Sequence, residues 1–130
     1  MNGTKAILDS NVIIFASKEK IDVEKLLSKY DEFYVSIITY MEVYAHEFQE
    51  AAEKDIIDDI FANLEIIEIN RAIADQSITY RKNKIKKIKL PDAVILASAK
   101  YTNADLPTDD WDDFQDISSV NVVKLDDLKI

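Results

Sequence analysis

The sequence predicts an α/β fold: a three-layer α/β/α sandwich with a central parallel sheet of four or five strands. Two observations carry this. Short apolar segments near 5–9, 33–36, 65–69, 105–108 and 120–125 alternate with longer segments of helical spacing, the pattern of strands joined by crossover helices. The first segment, Lys5-Ala6-Ile7-Leu8-Asp9, is a near-continuous apolar run, as in a strand covered on both faces.

The elements follow in order. After the first strand, Asn11 to Ala16 reads as a short helix that Ser10 or Asn11 can cap. Asp22 to Tyr30 has apolar residues at 23, 26, 27 and 30, with acids early and lysines late, which suits a helix and its dipole. Phe33-Tyr34-Val35-Ser36 is a compact strand. Thr39 to about Leu64 lacks Gly and Pro and reads as helix, divided in two because so long a helix is unusual in a small domain. Glu65 to Ile69 is the third strand and Arg71 to about Ile85 an amphipathic helix. Pro91 opens a helix running to about Asn103, since Pro suits a first helical turn. Asp105-Leu106-Pro107-Thr108 is a short strand or extended turn, 109–116 an acidic loop with at most one helical turn, and 120–125 the last strand.

The 130 residues fit a single domain over 1–130, long enough to bury a core without disulfides or metal staples. With no Cys there is neither a disulfide framework nor a thiolate zinc site. The first residues carry no basic stretch followed by a long apolar run, so no secretory signal is expected. No apolar stretch reaches the roughly 18 residues of a membrane span. The expectation is a cytoplasmic protein that does not meet the membrane. A net charge of −9 argues against general phosphate affinity. It is a weak argument, because clustered acids bind cations and a local basic strip still holds a nucleic-acid backbone.

Four acidic places stand at comparable points of the fold. Asp9 ends the first strand. Glu42 lies early in the helix after the second. Asp92 lies in the first turn of the helix opened by Pro91. Asp109, Asp110, Asp112 and Asp113 follow the Leu106-Pro107-Thr108 segment. In a parallel sheet all four places share the carboxyl edge of the strands, where sites of such folds form. Converging carboxylates repel, and a hard divalent cation such as Mg²⁺ or Mn²⁺ relieves this with all-oxygen ligands. Each acid also has a plainer explanation. Asp9 can cap the following helix, Thr39 and Glu42 can form a capping box, Asp92 suits a helix N-terminus, and an acidic run is by default a solvated loop. The functional reading rests on the coincidence of places.

These residues resemble the motifs of the PIN domain family. Leu8-Asp9-Ser10-Asn11-Val12 resembles its opening motif, and Ser36-Ile37-Ile38-Thr39-Tyr40-Met41-Glu42 its second. Leu90-Pro91-Asp92-Ala93-Val94-Ile95-Leu96-Ala97-Ser98-Ala99 resembles the third. Leu106-Pro107-Thr108-Asp109-Asp110, followed by Asp113-Phe114, resembles the fourth. The order, spacing and length are similar to small VapC-type toxins of toxin–antitoxin pairs. The resemblance implies a metal-dependent endoribonuclease holding Mg²⁺ or Mn²⁺ on Asp9, Glu42, Asp92 and Asp110, with Asp113 as the alternative fourth acid. Asn11 and Thr108 match the supporting polar positions. It also implies an RNA substrate, a cognate antitoxin protein and a homodimer. One departure stands out: Asp109 occupies the place where the fourth motif often carries Arg, so an acid replaces a potential phosphate contact.

Arg81-Lys82-Asn83-Lys84-Ile85-Lys86-Lys87-Ile88-Lys89 holds six basic residues and no acid, and it leads directly into Asp92. It reads as a phosphate-binding strip to which Arg81, Lys84 and Lys87 contribute, against the plainer reading of a solvated helix end. His46, four residues after Glu42, can share its helix face; a structural histidine is the plainer role. Tyr40 and Tyr44 are expected to pack, and Trp111 to cover the site, anchor a partner or fold back onto the domain. A phospho-receiver domain is one alternative, but the required acidic pair is missing around Gly3-Thr4-Lys5 and Lys124 is a poor match for its strand-end Lys. A PIN-like interaction module with idle acids is the other; the presence of every motif acid argues against it.

Overall fold

The computed structural model describes residues 4–114 and 120–130. Strands β1 (Lys5–Leu8), β2 (Glu32–Ser36) and β3 (Glu65–Ile67) form one sheet in that order, both pairings parallel. Strands β4 (Leu106–Thr108) and β5 (Val122–Lys124) pair in parallel as a second piece. A single parallel bridge, Ala6 to Asp105, lays the chain just before β4 along the free edge of β1. There Ile7 N–H donates to the Asp105 carbonyl at 2.9 Å, and Asp105 N–H donates to that of Lys5 at 2.8 Å. Among the described residues the strands form a three-stranded and a two-stranded parallel sheet joined by this bridge, in place of the single central sheet of four or five strands expected. The reason is local: β3, β4 and β5 are three residues each, too short for long ladders.

The helices are α1 (Ser10–Ser17), α2 (Val23–Lys29), α3 (Ile37–Tyr44), α4 (Ala51–Ala62), α5 (Arg71–Arg81), α6 (Leu90–Thr102) and α7 (Trp111–Phe114). They cover both faces of the strands. Ile7, Tyr34 and Ile67 pack with Ile73 and Tyr80 of α5 and Leu96 of α6. Their neighbours Ala6, Leu8, Val35 and Ile66 pack with Val12 and Ile13 of α1, Leu26 of α2 and Ile57 of α4. Successive residues of β1 thus enter opposite cores, as the two-residue period of a strand requires, and its unbroken apolar run follows.

Local chemistry sets most helix ends. Asp22 caps α2 through Lys25 N–H at 3.0 Å, and Asn70 caps α5 through Ile73 N–H at 2.8 Å. Asn103 ends α6 in the left-handed region, at φ 58° and ψ 43°, a conformation Asn tolerates. The long apolar-periodic region after β2 is indeed two helices, interrupted at 45–50. Helix α5 stops at Arg81 rather than near Ile85, leaving the basic strip as a loop. The acidic segment expected over 109–116 contains α7; its last two positions lie outside the described residues. No helix among the described residues is long and apolar enough to cross a membrane.

Candidate metal centre

The parallel strands deliver their carboxyl ends to one edge. There Asp9, Ser10, Asn11, Glu42, Asp92, Ile95, Asp110 and Phe114 line a cleft of about 140 Å³. Strand β1 has β2 on one side and the Asp105 segment on the other, so the cleft opens where successive connections leave in opposite directions. That is the usual ligand position in parallel α/β sheets.

Asp9 is the most deeply held of the four acids, 5% exposed. It is the N-cap of α1: Oδ1 accepts Val12 N–H at 3.1 Å. Of the caps the sequence offered, Ser10, Asn11 and Asp9, the structure uses Asp9, because the extended backbone at the strand end falls on residue 9. Its Oδ2 accepts the Thr108 hydroxyl at 2.5 Å. Asp9 is thus both a helix cap and a wall of the cleft. Burial pushes its carboxyl up to about 6; the Thr108 and Val12 bonds oppose this, and the charges of Asp110 and Asp92 add to it.

Glu42 reaches the cleft from α3. The anticipated Thr39–Glu42 capping box does not form. Ser36 caps α3, its Oγ accepting Ile38 N–H at 3.2 Å. That moves the helix start three residues earlier and frees Glu42, whose Oε1 accepts the Ser10 hydroxyl at 2.8 Å. Asp92 stands in the first turn of α6, beside Pro91. Burial raises its carboxyl above the ordinary range, with Glu42, Asp110 and Asp113 adding repulsion and Lys89 opposing it. Asp110 follows β4 in the turn before α7. Its N–H donates to Thr108 Oγ1 at 3.0 Å and its Oδ2 accepts from Asn11 Nδ2 at 3.3 Å. It too is raised, first by burial and then by Asp113 and Asp109. Asp113 does not line the cleft, yet its charge is felt by both Asp92 and Asp110.

The donor set fits a hard divalent cation. It is all carboxylate oxygen, and three of its members are already raised, first by burial and then by neighbouring carboxylates. Among the described residues no three of these side chains are drawn together as a ready coordination set; they ring the cleft, hydrogen-bonded to Ser10, Thr108 and Asn11.

Other sequence candidates fall elsewhere. His46 lies beyond the end of α3, its ring 5.9 Å from that of Phe48, and it does not line the cleft. The shared helix face required helix α3 to continue, and it ends at Tyr44. Tyr40 and Tyr44 pack with Phe61 at 5.4 and 5.2 Å. Trp111 folds back onto β5, donating Nε1–H to the Val122 carbonyl at 3.2 Å. Arg81, Lys84 and Lys87 are exposed around the loop that leads into α6. Two functional neighbours were not foreseen. The sequence points to Ser10 only as a cap, and its bond to Glu42 spans 32 positions. Lys89 was one cation among six, and its charge reaches Asp92.

The chain matches the family model of the PIN domain over residues 6–120. It belongs to the PIN domain family. A chain of a toxin–antitoxin complex from Klebsiella pneumoniae is 30% identical, with TM-score 0.74, over 88% of this chain and 94% of that one. A chain of a DNA-bound VapBC structure from Salmonella typhimurium is 20% identical, with TM-score 0.79, over 94% and 98%. One of VapBC2 from Rickettsia felis, bound to a DNA fragment of the promoter, is 21% identical, with TM-score 0.78, over 93% and 98%. The fold is thus the one found in VapBC structures, in line with the resemblance to VapC-type PIN domains. No curated protein matches the chain in sequence.

Proposed function

We propose that this chain is a metal-dependent endoribonuclease and the toxin of a toxin–antitoxin pair. The observation that carries the reading is the meeting of Asp9, Glu42, Asp92 and Asp110 around one cleft from four separate parts of the chain. These four would hold Mg²⁺ or Mn²⁺, with Asp110 as the fourth acid and Asp113 close behind it. When bound, such an ion lowers the pKa of a water and offsets charge on a phosphoryl oxygen. One of the carboxylates orients the attacking water. Thr108 and Asn11 keep Asp9 and Asp110 turned to the cleft, and Ser10 does so for Glu42. Arg81, Lys84 and Lys87 supply phosphate contacts along the approach to Asp92.

The solved toxin–antitoxin complexes sharing this fold support an antitoxin partner. The reading also includes a homodimer working in the cytoplasm. The test is cleavage of structured RNA by the full chain with Mn²⁺. Asp9→Asn is expected to abolish cleavage while the protein stays folded. Undiminished cleavage by that variant overturns the reading.

A further inference from the structure

Asp110 sits in a short turn between β4 and α7, in a run that also holds Asp109, Asp112 and Asp113. Four acids in five positions repel one another, and nothing in the turn itself offsets this. Lys86 Nζ donates to the Asp112 carbonyl, and the ties on either side of Asp110 come from the far end of the chain. Lys129 Nζ lies 2.6 Å from Asp109 Oδ1. Lys129 is itself anchored: its backbone bridges to Ile21, and the next residue, Ile130, donates its N–H to the Lys20 carbonyl at 3.0 Å. On the other side of Asp110, the Trp111 ring carries Lys124 Nζ at 4.4 Å from its centroid, a cation–π distance. Both neighbours of Asp110 are therefore tied by lysines of the last strand and tail.

We propose that Lys129 is a positioning residue for Asp110: its ion pair with Asp109, together with the Lys124–Trp111 stack, fixes the turn that presents this carboxylate to the cleft. The inference rests on the metal-centre reading given above.

The sign of the effect separates positioning from simple charge. Removing a lysine near a cation site should tighten cation binding by through-space electrostatics. Removing a residue that fixes a ligand should weaken it. Calorimetric titration of the full chain with Mn²⁺ is expected to show Lys129→Met about fivefold weaker than wild type, the scale of one partly exposed ion pair. Lys129→Arg should restore wild-type affinity. In the metal-free protein, Lys129→Met should also speed hydrogen exchange at the Asp110 amide, which is bonded to Thr108 Oγ1. Equal or tighter Mn²⁺ binding by Lys129→Met, or unchanged exchange at Asp110, overturns the positioning role and leaves the metal centre standing. Wild-type protein that shows no Asp9-dependent Mn²⁺ binding overturns both.

Discussion

Thr108 donates its hydroxyl hydrogen to Asp9 Oδ2 at 2.5 Å, joining residues 99 positions apart. The same hydroxyl oxygen accepts the Asp110 amide at 3.0 Å. One buried side chain therefore orients two acids of the cleft and closes the gap between β1 and β4. Thr108→Val keeps the shape and strand preference but removes both bonds. It is expected to lower stability by about 1–3 kcal/mol, the cost of an unpaired buried polar group. It should also weaken Mn²⁺ binding. Urea unfolding and calorimetry check the two effects, and a neutral result in both denies Thr108 this role.

Asp9 links the cleft to pH. Its carboxyl is raised by burial from 3.8 to about 6 in the folded, metal-free protein. Between those values the folded chain binds more protons than the unfolded one, so stability falls as pH rises through this window. The penalty is absent below the unfolded value and fully present above about 6. Asp9→Asn removes it and keeps an oxygen that can accept from Thr108. The variant should be inactive, yet more stable than wild type at pH 7 without metal, by at most about 3 kcal/mol less the cost of the one acceptor lost between Val12 and Thr108. Denaturant melts at pH 4.5 and pH 7 measure this. A variant less stable than wild type at pH 7 would show that the lost hydrogen bonds outweigh the relieved charge.

The same buried charge predicts a metal response. A cation bound only by the folded state stabilises it by mass action. Mn²⁺ or Mg²⁺ should raise the thermal midpoint of wild type at pH 7 and raise that of Asp9→Asn or Asp92→Asn far less. Chelation should reverse the shift. The effect should shrink near pH 5, where Asp9 is largely protonated. Equal shifts in wild type and Asp9→Asn would place the cation elsewhere on the acidic surface.

These relationships divide by range. The places of Asp9, Asp92 and Asp110 were legible because each depends on a nearby strand end or helix start. The two-sided burial of β1 was legible from Ala6-Ile7-Leu8 alone. Glu42 was legible as a candidate, but its cap was misassigned. Ser36 and Thr39 both carry hydroxyls that can start a helix, and only the end of β2 chooses between them. The Ser10–Glu42 and Lys129–Asp109 contacts span 32 and 20 positions. No local pattern encodes such pairs; they exist because the sheet brings the segments together. The division of the sheet was only partly legible: Pro107 has no N–H to give a ladder, which limits β4, but nothing in 122–124 reveals how few ladder bonds β5 makes.

The basic loop offers a test that leaves the acids untouched. Lys84 and Lys87 are exposed and stand outside the cleft lining, between the end of α5 and the start of α6. If they contact RNA phosphates, each releases counterions on binding, and affinity falls with salt in proportion to the number of contacts. Binding should be measured in the Asp9→Asn background, so that RNA remains intact, by fluorescence anisotropy across a salt series. Lys84→Ala with Lys87→Ala should make the log–log salt slope shallower by about 1.4, two contacts at roughly 0.7 each on a single strand. The loss should be similar for unrelated RNA sequences, because phosphate contacts carry no base information. Mn²⁺ affinity of the otherwise wild-type double variant should not fall, since neither lysine is a ligand. An unchanged slope would remove the loop from the RNA path. Lys89, whose charge already reaches Asp92, would then be the next cation of the strip to test.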